Sequence, residues 1–155
     1  DLINKLIPTK RQTVVKVFLT NLFPFNLDKW APKYPPAKEP NIHNINTFRQ
    51  LSNVAIVTST YGNGEVPEMG IDFWNELKSS KVEMVNLRYG LIALGDKSHK
   101  IFCGAGKAIS KKLDDLKCIK VIQNLECDGD TEGTYEWSIK FLEKLKARAY
   151  YNDKV

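Results

Sequence analysis

Four consecutive apolar residues, Val54-Ala55-Ile56-Val57, run straight into Thr58-Ser59-Thr60-Tyr61-Gly62-Asn63-Gly64. No other stretch limits the fold as tightly. The apolar run is too short and too β-branched for a helix, and it reads as a strand buried on both faces. Such a strand belongs to a parallel sheet with helices on each side. The small, hydroxylated and Gly-rich residues that follow it lie where an open parallel sheet keeps its ligand crevice. Gly62 and Gly64 let the backbone approach a flat ligand or take positive φ, and Tyr61 offers an aromatic face.

The same alternation continues downstream. Glu68–Ser80 reads as a helix with Ile71, Trp74 and Leu77 on one face and Phe73 beside them. Leu87–Leu94 is a second central strand, running into the loop Gly95-Asp96-Lys97-Ser98-His99. Gly104–Leu116 is a helix with Ala105, Ala108, Ile109, Leu113 and Leu116 as its buried stripe. Cys118–Leu125 is a third strand and ends in Glu126-Cys127-Asp128-Gly129-Asp130. A last helix spans Glu132–Ala149 with Tyr135, Ile139, Leu142 and Leu145 toward the core. Lys140, Lys144, Lys146 and Arg148 suit its C-terminal half. Strands alternating with helices imply a parallel α/β sheet with right-handed crossovers. The loops near residues 60, 95 and 127 then share one edge of the sheet.

Upstream of Val54 the pattern is different. Residues 1–7 resemble the last turns of an amphipathic helix stopped at Pro8. Residues 13–19 (TVVKVFL) read as a strand. Between Asn21 and Asn46, Pro24, Pro32, Pro35, Pro36 and Pro40 rule out a continuous helix and predict an extended arm, pinned by Phe23, Phe25, Trp30 and Tyr34. The expected organisation is a basic, Pro- and aromatic-rich segment over 1–52, a core over 53–149 and a tail over 150–155. The start, Asp1-Leu2-Ile3-Asn4-Lys5, has no methionine and no signal-peptide pattern, and reads as the interior of a longer gene product.

Composition excludes several classes of function. An apolar fraction of 43% and a charged fraction of 26% fit a globular protein of one domain. No run approaches the roughly 18 apolar residues that cross a bilayer. Residues 1–53 carry eight Lys/Arg against three acids, so the net charge of +5 sits in the N-terminal third. Those cations are not interleaved with aromatics along a groove, which argues against nucleic acid. Cys103, Cys118 and Cys127 form no CxxC pair, and with only His43 and His99 beside them a zinc site is not expected. Scattered, odd-numbered thiols fit a reducing compartment, cytoplasm or mitochondrial matrix. Ser59, Ser98 and Ser110 lack a histidine–carboxylate constellation, so no catalytic triad can be assembled.

The three segments TSTYGNGEVPE, LRYGLIALGDKSHKIFCGAGK and LECDGD with the Trp-bearing helix after it resemble, in order and spacing, the flavodoxin-like FMN domains. The likeness covers about residues 45–147 and points to the diflavin reductases of the cytochrome and sulfite reductase type and to small flavodoxins. It implies a five-stranded, doubly wound parallel α/β sheet with FMN at the carboxyl ends of the strands. Thr58, Ser59, Thr60, Tyr61, Gly62, Asn63 and Gly64 would form a first flavin loop, with Tyr61 along one face of the isoalloxazine. Leu94, Gly95, Asp96, His99, Phe102 and Cys103 would form a second, and Asp128 would lie near the flavin rim.

Two features depart from that family's pattern. No Ser/Thr/Gly-rich phosphate loop reads from residues 1–53, since Thr20-Asn21-Leu22-Phe23-Pro24-Phe25 is too apolar to cradle an anion. The simplest alignment makes residues 13–19 the second strand and leaves the usual first strand and phosphate loop upstream of Asp1, through truncation, a split chain or loss. His99 stands where an aromatic stacking residue is expected; it can stack, or it can be a plain surface histidine.

The resemblance implies an FMN-binding electron-transfer module, taking electrons from a reduced flavin partner and passing them to a haem or metal acceptor. Glu65, Glu68, Asp96, Asp128, Asp130 and Glu132 would steer a basic redox partner, although loops and helix starts are commonly acidic. The alternative is a cofactor-free, flavodoxin-like structural subunit of a larger assembly, such as a mitochondrial one. No nicotinamide-binding motif reads from residues 1–155, so these residues are not expected to oxidise NADPH unaided.

Overall fold

The computed structural model describes residues 14–19, 45–130 and 132–153. The expected helix end at 1–7 and the arm over 20–44 lie outside the described residues. The elements are β1 (Val14–Leu19), α1 (Ile45–Arg49), β2 (Asn53–Thr58), a 3-10 turn (Glu68–Gly70) leading into α2 (Ile71–Ser79), and β3 (Arg88–Gly95). They continue with α3 (Gly104–Asp115), β4 (Ile119–Lys120), β5 (Leu125–Asp128) and α4 (Thr134–Asp153).

All described strands run parallel, in the order β1-β2-β3, with β4 and β5 both on the far edge of β3. Val14 pairs with Asn53 and Leu19 with Thr58, so β1 lies directly against β2. This differs from the alignment that made residues 13–19 a second strand. Their β-branched run satisfies a full ladder with β2, in the place that alignment left to a strand upstream of Asp1. The single strand expected over Cys118–Leu125 is two pieces. The ladder leaves β3 after Lys120 and returns at Leu125, and in the gap the Trp137 indole N–H donates to the Gln123 carbonyl at 3.0 Å.

Successive residues of the central strands point to opposite faces, and both faces are covered. Val54 and Ile56 of β2 and Tyr89, Leu91 and Ala93 of β3 pack against α1, α2 and α3 through Phe48, Phe73, Leu77, Ile109 and Leu113. Ala55, Val57, Ile92 and Leu94 pack on the other side against Trp137, Phe141, Leu142 and Leu145 of α4. Such two-faced burial is what an unbroken apolar strand predicts. The buried faces of two helices are rotated from expectation. In α2, Phe73 and Leu77 are buried at four-residue spacing, while Ile71 is exposed and Trp74 half-buried. In α4, Leu142 and Leu145 are buried as expected, while Trp137 and Phe141 take the core places expected of Tyr135, which is exposed, and Ile139, which is half-buried. Helix α1 begins at the very end of the Asn21–Asn46 arm, runs past it, and is held by Phe48, whose ring meets Phe73 edge-on at 5.0 Å.

α3 rides close on β3 because Gly106 faces Ala93. A Cβ on Gly106 would lie 2.4 Å from the Ala93 methyl. Gly106→Ala is therefore expected to force α3 off the sheet and cost about 1–3 kcal/mol, although alanine is the better helix former. Urea unfolding of the variant checks this, and an unchanged or higher midpoint would contradict the packing. At the opposite end of the same interface, the buried Tyr89 hydroxyl donates to Asp114 Oδ1 at 2.7 Å and lies 2.8 Å from Ser110 Oγ. Asp114 in turn pairs with Lys120 Nζ at 3.0 Å, so one polar strap joins β3, α3 and β4.

Candidate functional site

Three turns leave the carboxyl ends of β2, β3 and β5 on one rim, as parallel strands require. The first is closed by reciprocal bonds between Tyr61 and Glu65, Tyr61 N–H to Glu65 O at 2.9 Å and Glu65 N–H to Tyr61 O at 2.8 Å. Gly62 and Gly64 take φ of +51° and +98°, which lets Gly62-Asn63-Gly64 reverse the chain in three residues. The turn holds Tyr61 with about half of its surface in solvent. Beneath it, Thr58 is buried, and its hydroxyl donates to the Ser59 carbonyl at 3.0 Å. The next two hydroxyls, Ser59 Oγ and Thr60 Oγ1, are enclosed and have no hydrogen-bond partner.

The second turn begins at Gly95. Asp96 Oδ1 accepts the Ser98 N–H at 2.8 Å, and the Asp96 carbonyl accepts the His99 N–H at 3.0 Å. Hydrogen bonds from the Ser98 side chain and backbone, with His99 nearby, hold the Asp96 carboxyl below the usual carboxylate range. Asp96 and His99 are exposed. Phe102 is half-buried, with Lys97 Nζ and Lys107 Nζ each 5.5 Å from its ring centre. Cys103 takes a left-handed φ of 54° at the start of α3 and turns its thiol inward, 3.4 Å from the Ala93 carbonyl.

The three turns are joined by main-chain and side-chain contacts. Gly64 meets Gly104 so closely that a Cβ on Gly104 would lie 2.7 Å from the Gly64 Cα, and the Ile101 side chain packs against Gly64. On the other side, Gly129 N–H donates to the Gly95 carbonyl at 2.7 Å and Lys97 N–H to Asp128 Oδ1 at 2.8 Å. The second turn thus touches both of the others. Thr58, Leu94 and Cys103 are enclosed in the core and form its floor. Ser59, Thr60, Tyr61, Gly62, Asn63, Gly64, Gly95, Asp96, His99 and Asp128 belong to the turns themselves, with Phe102 between floor and rim.

Sequence reasoning missed Lys97, Ile101, Gly104 and Gly129. Lys97 and Gly129 act through backbone N–H groups, which carry no residue-type signal, and Gly104 acts through the absence of a Cβ. Nor is the rim uniformly acidic: Lys107 reaches Glu126 at 3.6 Å, and the Lys97 ammonium lies over the Phe102 ring. Among the described residues there is no group of His, Cys, Asp and Glu suited to a metal ion, and no helix long and apolar enough to cross a membrane.

Residues 33–141 match the family model described as flavodoxin. The chain belongs to the flavodoxin family. Within it, the chain is similar to the sulfite reductase [NADPH] flavoprotein alpha-component of Photobacterium profundum, 36% identical over 101 residues, covering 64% of this chain and 17% of that protein. The corresponding protein of Vibrio parahaemolyticus is 40% identical over 97 residues, covering 61% and 16%. The chain therefore spans less than a fifth of the length of the curated relatives it matches. Among solved structures, a Streptococcus pneumonia TIGR4 flavodoxin superposes with a TM-score of 0.65 at 19% identity, over 88% of this chain and 99% of that one. A short-chain flavodoxin associated with a bacterial microcompartment gives 0.65 at 18%, over 88% and 98%. These establish a flavodoxin-like α/β fold and a module related to the sulfite reductase flavoprotein subunit.

Proposed function

We infer that this flavodoxin-family chain holds FMN on the rim of its three turns and serves as an electron carrier. The observation behind this reading is the pair of enclosed, unpartnered hydroxyls, Ser59 Oγ and Thr60 Oγ1, directly before a half-exposed tyrosine on a closed turn. Enclosed hydroxyls are nearly always hydrogen-bonded. Two in succession therefore suit the polar edge of a ligand, and the Tyr61 ring suits an apolar face. A flat ring system with a polar perimeter meets both demands. Ser59 through Gly64 would hold one side of it and Gly95, Asp96 and His99 the other, while Thr58, Leu94, Phe102 and Cys103 support the turns from below. When bound, the flavin supplies the electron chemistry; the chain binds it, orients it and sets the charge around it.

The curated relatives are named as alpha-components of an NADPH sulfite reductase. That naming supports a separate redox protein with a haem or metal acceptor as partner, and a reduced flavin as donor. A reducing compartment, cytoplasm or mitochondrial matrix, suits the three free cysteines.

Adding FMN to the purified protein is expected to give a yellow one-to-one complex with quenched flavin fluorescence. Tyr61→Ser is expected to weaken it about tenfold through loss of ring stacking. A protein that stays colourless and leaves the fluorescence of added FMN unchanged would sink this reading. It would favour the cofactor-free structural subunit instead.

A further inference from the structure

In the register of β3 and β5 the last paired residues are Gly95 and Asp128. Beyond them the strands part, yet the hydrogen bonding continues for one more step on each side. Gly129 N–H reaches back to the Gly95 carbonyl at 2.7 Å. Lys97 N–H would have no main-chain acceptor in that direction, and the Asp128 side chain supplies one at 2.8 Å. The carboxylate thus stands in for a carbonyl and carries the ladder into the second turn. Ser98 and His99 N–H are taken by Asp96 Oδ1 and by the Asp96 carbonyl. Three successive amides are therefore fixed, two of them by Asp96 within the turn. Among the described residues, Asp128 supplies the side-chain bond that ties the Asp96–His99 part of the turn to the neighbouring strand.

We propose that Asp128 is a positioning residue: it fixes the Asp96–His99 turn through the Lys97 amide and does not act on the cofactor directly. This rests on the reading of the rim as an FMN site. A turn already held in shape loses less freedom when a ligand settles on it, so the clasp strengthens binding by preorganisation. The competing role for a carboxylate here is its charge, placed near the ring. The two roles separate cleanly, because asparagine is neutral yet keeps an oxygen at the same reach, whereas alanine keeps neither.

The experiment compares wild type, Asp128→Asn and Asp128→Ala. Amide hydrogen exchange at Lys97, measured on flavin-free protein, reads the clasp itself. Exchange is expected to be several-fold faster in Asp128→Ala and close to wild type in Asp128→Asn. FMN titration reads the consequence, with affinity about tenfold weaker in Asp128→Ala and within about threefold of wild type in Asp128→Asn. Equal weakening in both variants would overturn the proposal in favour of charge, and so would a Lys97 amide whose exchange is unmoved by alanine. If the wild type takes up no FMN, the functional reading fails on that result, while the exchange comparison still decides whether Asp128 holds the turn.

Discussion

Phe141→Ala is expected to lower the unfolding free energy by about 3–5 kcal/mol, a large share of the 5–15 typical of such a domain. Phe141 is fully buried, and its ring stacks on Trp137 with centres 5.2 Å apart and planes 17° from parallel. Both rings lie over Gly90 of β3, where even one added methyl would come within 2.8–2.9 Å of their carbons. Among the described residues, α4 is the helix that covers this face of the sheet, through Trp137, Phe141, Leu142 and Leu145. A cavity at Phe141 therefore opens the centre of a layer that no other described helix can close. Urea unfolding should show a lower midpoint with little change in slope. A loss under about 1 kcal/mol would mean that α4 does not seat on β3 in this way.

Stability is also expected to collapse in alkali. Burial pushes the Cys103 thiol up to about 11, Cys118 to about 12 and Cys127 to about 11, with Glu126, Asp114 and Asp130 adding to the effect at each in turn. Burial raises the Tyr89 phenol as well. Each group holds its proton more tightly folded than unfolded. Its contribution is therefore complete below about pH 8.5, where an unfolded thiol begins to ionise, and is lost as pH rises through the folded values. Each thiol can remove up to about 1.4 kcal/mol per pH unit across that window. Urea midpoints measured from pH 7 to 11.5 should stay level to about pH 8.5 and then fall steeply, and less steeply in Cys118→Ala. At pH 8 none of the three thiols should react quickly with a disulfide reagent until the protein is denatured. A flat profile to pH 11, or a fast-reacting native thiol, would contradict the burial described.

The parts of this fold that sequence made legible are those where one local signal met no competitor. Val54–Val57 is apolar without a break, so a strand covered on both faces was the natural reading, and β2 is buried along its whole length. α3 announces itself through Ala105, Ile109 and Leu113 at helical spacing, all buried. α2 carried two rival stripes, Ile71-Trp74-Leu77 and Phe73-Leu77, and periodicity could not say which would meet Phe48. The break between β4 and β5 was hidden because its cause is remote: Trp137 stands 14 residues beyond the Gln123 carbonyl that its indole engages.

At the rim, the residue types that mark the first turn stood out, since Tyr61, Gly62 and Gly64 announce a tight turn with an aromatic on it. The seam between the second and third turns did not. Asp128 was legible as an acid near the rim, but its bond to the Lys97 amide depends on a main-chain group that every residue except proline possesses. Thr58, Leu94 and Cys103 sit in the right turns for a ligand and yet face the interior. Membership of a sequence motif and access to what it surrounds are separate properties.

The divided strand at the far side of β3 has a consequence for how copies of this molecule meet. An intruding strand needs an unbroken row of amides and carbonyls to dock against. Here it would meet two fragments of two and four residues, parted where an indole occupies a carbonyl. That border of the sheet offers little template for stacking one molecule edge-on to the next, and mending the break with a continuous strand would restore one.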